Sequence, residues 1–421
     1  MTAGDASDPE AVARAAARLR EAGAALRARS RSEVTGALSR WLERWCTPES
    51  PWQAELAGAL AREGVATGPT LRAGLALGLG AWQGAPLASI VDAELSPYDS
   101  VSGFDLTGVV LAGSIPMPSL LSLLWPLALG SPVLVKTASR DPVTARLAAR
   151  TLAEVDPLLG RCVSPAAFDR DAQECHRVFA EEVDCLVATG SDQAVEAWAA
   201  RTRPPRRFVG FGHRLSLAAL GPAADAAAAA RDLAVDVALW DQQGCLSPVA
   251  VYVVGREAVS RSAELALALG AELAAAEDRW PRAAAGPGAA ALAAHERAEA
   301  EMRRAAGRAV DVVADAEGRW CVVAEDDAAP RPAPLDRFVR IHPVDDLDAL
   351  WRAIRPFAAH LAGAAVAGFD AGLPEVARGF ASLGASRVCA PGRLQAPPID
   401  WHHDGRPLLL PLARIHDRET P

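Results

Sequence analysis

The residues best equipped for chemistry lie in one octet, Asp241-Gln242-Gln243-Gly244-Cys245-Leu246-Ser247-Pro248. Cys245 follows three polar side chains and a glycine, whereas a cysteine that only fills a core usually sits in an apolar run. In a loop or at a helix start, nearby N–H dipoles can favour the thiolate, which is the form that attacks a carbonyl carbon. The residue types alone leave Cys245 open between a nucleophile and a small buried hydrophobe. Cys162, Cys185, Cys321 and Cys389 lie in apolar surroundings and read as core.

Three loops could bind an anionic ligand. Gly113-Ser114-Ile115-Pro116, Lys136-Thr137-Ala138-Ser139-Arg140 and Gly190-Ser191-Asp192 each follow a short apolar strand. Ligands of parallel sheets sit at the carboxyl ends of strands, where glycine lets phosphate approach backbone N–H groups and a helix N-terminus. A lysine there can donate to ribose hydroxyls, and an arginine can pair with phosphate. One such loop is ordinary turn chemistry; three in succession point to a nucleotide. Gly210-Phe211-Gly212-His213-Arg214-Leu215 is a weak dinucleotide fingerprint, because the third glycine is missing. His213 reads as structural. His402 and His403 are adjacent, so one metal cannot easily take both, and they read as polar loop; no metal site is expected.

The elements that must hold these loops follow from the patterning. Residues 8–30, 33–45, 52–63 and 68–81 read as an all-helical lead-in. From Gly103 onward, strands at 107–112, 132–136 and 183–188 alternate with helices at 119–129, 141–155 and 192–201. Two short extended pieces, 208–212 and 215–220, close this region. A helix over 222–240 leads into the octet, followed by a strand at 249–254 and helices over 257–279 and 283–306. Strands at 320–324, 338–342, 363–369 and 386–390, with helices over 346–361 and 373–383, complete a second unit. The last thirty residues read as loop. Alternating strands and helices imply mostly parallel, doubly wound α/β sheets. The expected division is 1–102 as the helical lead-in belonging to the first domain, 103–221 as a nucleotide-binding domain, 222–392 as the domain carrying Cys245, and 393–421 as a segment returning to the first.

Bulk properties narrow the partners. The 421 residues are 51% hydrophobic, enough for more than one core, and the net charge of −9 argues against nucleic acid and anionic membrane surfaces. Residues 106–135 carry no charge, but Pro116, Pro118, Pro126 and Pro132 divide them, so buried strand-loop-helix is expected rather than a membrane span. Seven scattered cysteines with no C-x-x-C pair, and an acidic start without a signal-peptide pattern, lead us to expect a reducing cytoplasm.

Four blocks in order carry a resemblance: Ala112-Gly113-Ser114-Ile115-Pro116, Val135-Lys136 with Ser139-Arg140-Asp141-Pro142, the octet, and Trp401-His402-His403-Asp404-Gly405. The chain resembles the LuxC-like acyl-CoA (fatty-acid) reductases, a branch of the aldehyde dehydrogenase superfamily, from about residue 30 onward. The resemblance implies an aldehyde-dehydrogenase-like α/β fold, with two doubly wound domains. It implies Cys245 as the residue that takes the acyl group from a thioester, followed by hydride reduction to the aldehyde. Ala112, Gly113, Lys136, Ser139, Arg140, Gly190, Ser191 and Gly212 match the cofactor-binding positions. Where many NAD-preferring relatives carry a glutamate this chain has Ser139, with Arg140 beside it, so NADPH is expected. The superfamily's oxyanion-hole asparagine aligns with Ser114, which is therefore expected to be catalytic. Its glutamate base aligns within Phe208–Gly212, which holds no carboxylate. That favours reduction over NAD(P)-dependent oxidation of an aldehyde; a non-catalytic or slow subunit that binds an acyl carrier is the other alternative. Implied partners are acyl-CoA or a carrier-bound acyl thioester, an acyl-transferring protein, and further copies of the chain.

Overall fold

A computed structural model describes residues 8–47, 49–113 and 115–419. Ser114, and Pro48 in the break between two lead-in helices, lie outside the described residues. The chain divides into two compact units. One contains the chain up to Val65, Leu79–His213 and Pro398 onward; the other contains Ala66–Gly78 and Arg214–Pro397.

The lead-in is helical as the periodicity predicts: α1 (Pro9–Arg27), α2 (Arg31–Cys46), α3 (Pro51–Arg62), α4 (Gly68–Gly80) and, unforeseen, α5 (Leu87–Leu95). Ser30 and Glu33 form a reciprocal cap that starts α2. Its Trp41 turns inward, and the indole donates to Thr151 Oγ1 at 3.0 Å.

The first unit is built on a five-stranded parallel sheet. Chain order runs β1 (Ser100–Gly103), β2 (Thr107–Val110), α6 (Met117–Ala128), β3 (Val133–Lys136), α7 (Thr144–Val155), α8 (Pro157–Arg161), β4 (Val163–Ala166), α9 (Gln173–Glu182), β5 (Cys185–Thr189), α10 (Asp192–Arg201) and β6 (Arg207–Phe211). The sheet order is β4-β3-β2-β5-β6, so the winding direction reverses between β2 and β5. Every residue of β2 is buried, as expected of a strand with both faces covered. Leu106, Val110, Leu134, Phe179, Leu186 and Trp198 form part of its core. Within the uncharged stretch, Pro126 lies inside α6; no helix among the described residues is long and apolar enough to cross a membrane.

The second unit has a seven-stranded sheet. It comprises β7 (Leu215–Leu220), α11 (Ala226–Ala238), β8 (Pro248–Val254), α12 (Ala258–Arg279), α13 (Pro287–Ala305), β9 (Asp311–Ala314), β10 (Cys321–Ala324), β11 (Phe338–Val344), α14 (Leu347–Ile354), β12 (Leu361–Ala367), α15 (Leu373–Ser382) and β13 (Arg387–Cys389). The order is β13-β12-β7-β8-β11-β10-β9, with only β9 antiparallel to its neighbour among the described residues.

Several expectations need correction. The α8, β4 and α9 region had no assignment; β4 is an edge strand and tolerates Pro165 there. The helix expected over 346–361 stops at Ile354, ahead of Pro356, and continues only as a tight turn. The closing residues are not all loop: β14 (Ala413–His416) pairs antiparallel with β1. Glu94 anchors the approach to β14 by accepting from the N–H groups of Leu408, Leu409 and Leu410 at 2.7–3.0 Å.

Candidate active site

In the first unit, the loops singled out by composition meet at one edge. Val110 is in register with Lys136 on one side and with Ala188 on the other, so the segments after β2, β3 and β5 leave the sheet side by side. That edge, at the reversal of strand order, is where open α/β sheets bind dinucleotides. Gly113 has φ +73°, and a Cβ on it would lie 2.2 Å from that of Ala138. Only glycine fits this turn. Ala112 beside it is exposed.

Lys136 ends β3, half-buried. Its Nζ donates to Thr137 O at 3.2 Å and lies 5.1 Å from the centre of the Phe168 ring. Burial lowers its pKa, and the nearby Asp169 carboxylate opposes that shift. Ser139 and Arg140 are exposed on the loop that follows. Asp141 is buried and accepts from the N–H groups of Val143 and Thr144 at 3.1 and 2.9 Å. It thereby starts α7 at Thr144 rather than at Pro142, where the sequence suggested.

Gly190 closes β5 and donates to Phe211 O at 3.1 Å, which aligns the exits of β5 and β6. Ser191 caps α10 through Ala194 N at 3.3 Å. A Cβ at Gly212 would lie 2.3 Å from Asp192 Oδ1, the atom that accepts from His213 N at 2.7 Å. The donors at this edge (a lysine, a guanidinium and an N–H-rich helix start) suit a dinucleotide.

The block Trp401–Gly405 returns to the same edge, which residue types alone did not reveal. His403 stacks on Phe211 with centroids 4.6 Å apart and planes 5° apart, and Trp401 lies 5.0 Å from His403. Arg406 covers the Phe211 ring and donates to Gly210 O at 3.0 Å. The structure gives His403 a packed aromatic setting on β6 rather than a place in a loose polar loop.

Cys245 belongs to the second unit. The helix before it ends at Ala238, two residues short of expectation, because Trp240, Asp241 and Gln242 turn left-handed with φ +62°, +50° and +58°. Such backbone is costly for residues with a Cβ, by about 1–2 kcal/mol each. Packing holds it in place: a Cβ on Gly74 would lie 2.2 Å from the Trp240 indole, so that ring has glycine beneath it. Gln242 is buried and donates to Pro248 O at 2.9 Å, bridging the two ends of the octet. The Cys245 carbonyl accepts from Ser216 Oγ at 2.9 Å.

Burial separates Cys245 from most of the other cysteines. Cys46, Cys162, Cys175, Cys185 and Cys321 are buried, while Cys245 and Cys389 are half-buried. Burial pushes the thiols of Cys46, Cys185 and Cys321 up to about 12, and those of Cys162 and Cys389 up to about 11. Those thiols stay protonated and inert at neutral pH. Among the described residues, no cluster of His, Cys, Asp and Glu could hold a metal ion.

Beyond Cys245, the end of the octet is tied to a distant loop. Gln395 donates to Ser247 Oγ at 2.9 Å and to Asp236 O at 3.1 Å. The Asp236 carboxylate, fully buried, accepts from Gly392 N at 2.7 Å and Gln395 N at 3.3 Å. Burial pushes its pKa up to about 7, with those N–H groups opposing the shift.

The two doubly wound α/β units, one of them presenting a cysteine loop, have an aldehyde-dehydrogenase-like fold. A NAD-dependent benzaldehyde dehydrogenase from Corynebacterium glutamicum matches with TM-score 0.68 at 17% identity, over 92% of this chain and 87% of that one. An E. coli NADP-dependent enzyme matches with TM-score 0.71 at 14% identity, over 91% and 82%. At these identities the likeness concerns the fold alone. The model of the acyl-CoA reductase (LuxC) family matches residues 92–415, and the chain belongs to that family. A long-chain acyl-protein thioester reductase of Photorhabdus luminescens is 28% identical over 250 residues, 58% of this chain and 50% of the relative. One from Aliivibrio fischeri is 30% identical over 151 residues, 35% of this chain and 31% of the relative. The chain thus spans about half the length or less of these curated relatives.

A pH dependence follows from Asp236. Its folded pKa lies above the ordinary carboxylate value, so the folded state holds a proton that the unfolded state has lost between about pH 4 and pH 7. Stability from this group is present below that window and is lost as pH rises through it, by about 1.4 kcal/mol per pH unit. Denaturant titrations from pH 4 to 8 should show a shallower decline for Asp236→Asn than for the parent. Equal slopes would contradict the assignment.

Proposed function

We propose that this protein reduces an acyl thioester to the aldehyde through an acyl-cysteine on Cys245, using NADPH. The observation that carries this reading is the setting of Cys245: a half-buried thiol three residues after a left-handed turn, in a family of acyl-CoA reductases. The Cys245 thiolate attacks the thioester carbonyl carbon. The bond to the carrier sulfur breaks, and that sulfur leaves as a thiol after taking a proton. The nicotinamide, when bound, supplies a hydride to the acyl carbon. The resulting oxyanion re-forms a carbonyl as the Cys245 sulfur departs, which releases aldehyde and restores the thiolate. Phe208–Gly212, the stretch that aligns with the superfamily's glutamate base, carries no carboxylate, which favours reduction over hydrolysis of the acyl-cysteine to acid.

In this reading Lys136 holds the adenine-side ribose, and the α10 start at Gly190 and Ser191 holds the pyrophosphate. Ala112, Gly113 and Gly212 shape the walls of the cradle, with Ser139 and Arg140 beside the 2′-phosphate. Ser114 takes the oxyanion position. Its hydroxyl is shorter than the asparagine amide it replaces, and weakening one oxyanion donor costs on the order of 10²–10³ in rate. Slow turnover is therefore part of the proposal. The substrate class is a fatty acyl group on a protein carrier, supported by the names of the curated relatives, with acyl-CoA as the alternative carrier. An acyl-transferring protein partner, assembly with further copies and a cytoplasmic location, where thiols stay reduced, complete the proposal.

Two measurements test it. Aldehyde formation from a panel of acyl-CoA chain lengths with NADPH should fall to background in Cys245→Ala; undiminished activity would sink the reading. Arg140→Glu should place a carboxylate against the 2′-phosphate and lower kcat/KM for NADPH at least tenfold relative to NADH. An unchanged ratio would remove Arg140 from the cofactor site.

A further inference from the structure

The octet's left-handed run has a counterpart. Leu335, Asp336 and Arg337 are also left-handed, with φ +66°, +52° and +66°. The two runs are bonded to one another. Asp336 N donates to Asp241 O at 3.2 Å, Gln243 Nε2 to Asp336 Oδ1 at 3.0 Å, and Gln242 Nε2 to Phe338 O at 3.3 Å.

Arg337 closes the arrangement. Its side chain is wholly buried; Nε donates to Asp241 Oδ1 at 2.8 Å and Nη1 to Glu277 Oε2 at 2.7 Å. Nη2 donates to Ala238 O at 3.1 Å and Trp280 O at 2.7 Å. Ala238 is the last residue of α11. One guanidinium therefore fixes both the end of that helix and the second residue of the left-handed run after it. Asp241 Oδ2 also accepts from Ala283 N at 3.3 Å. A lysine has three donors on one atom and cannot reproduce a fork spread over four acceptors.

A run of strained residues persists only where its surroundings over-determine it, and such runs gather at functional sites. Stability alone gives no reason to build two and join them through a buried cation, because apolar packing usually does as well. We propose that Arg337 is a positioning residue: it holds the 240–242 turn so that Gly244 and Cys245 present the thiol in the geometry for acyl transfer. This rests on the reading of Cys245 as the acyl acceptor.

The test compares Arg337→Lys, and Arg337→Met combined with Asp241→Asn and Glu277→Gln so that no buried charge is left alone. Three quantities are measured on the full-length protein: circular dichroism with Tm, the single-turnover rate of Cys245 acylation by acyl-CoA, and the rate of Cys245 alkylation by iodoacetamide. Both rates are read by peptide mass spectrometry at fixed pH. The expected result is folded protein whose acylation rate falls at least tenfold in the triple variant, with a partial return in the lysine variant. The acyl-CoA concentration that gives half the maximal acylation rate should change by less than threefold, and the alkylation rate should differ from the parent's. Parental acylation and alkylation rates in a folded variant would overturn the proposal. Loss of fold in both variants would also overturn it, making Arg337 a purely structural residue. If the parent protein accepts no acyl group from any thioester, the functional reading fails, while the alkylation rates still decide whether Arg337 positions the thiol.

Discussion

A buried guanidinium is the constraint from which the second unit's site is built. Taking Arg337 out of water costs several kcal/mol unless its donors are satisfied and its charge is balanced. Asp241 and Glu277 supply the charge, and the carbonyls of Ala238 and Trp280 supply the remaining acceptors. Those four demands dictate local structure: α11 must end at Ala238, the chain after α12 must return past Trp280, and β11 must begin at Phe338. Leaving one partner unpaired would cost about 3–5 kcal/mol, a large share of the 5–15 kcal/mol by which a typical domain is stable. Two turns held this firmly to one another can carry six left-handed residues between them and still present one side chain in one place.

In the proposed reading, the first unit solves a different problem, the approach of a large anionic ligand to backbone. Its means are an absent Cβ at Gly113, the helix start at Ser191, and a lysine whose ammonium is partly desolvated against Phe168. The aromatic stack of Phe211, His403 and Trp401 covers the end of β6. Under the proposed function, chemistry and cofactor binding fall to separate structural units.

Much of this was legible in the residues because the signals were local. A polar octet between two apolar elements marked Cys245; glycine after β2 and β5, and Lys136 with Arg140 after β3, marked the loops at the sheet edge. What could not be read depended on distance. The partners of Arg337 lie 60 and 96 residues away, so no window of sequence links them, and the early stop of α11 follows from that link. β4 is hard to read because it is a four-residue edge strand containing a proline, too short to show a period. β14 escaped for a similar reason: four residues, three of them exposed, become a strand only because β1 is there to pair with. Ala66–Gly78 reads as a continuous part of the lead-in, yet it packs with the second unit, where Gly74 makes room for Trp240.

The central claim is that Cys245 takes the acyl group. The most direct measurement is to incubate the protein with an acyl thioester and no nicotinamide, quench it, and map the modified peptide by mass spectrometry. The account predicts one acyl group per chain, on Cys245. An acyl group on another residue, or none with any thioester while the protein remains folded, would contradict it.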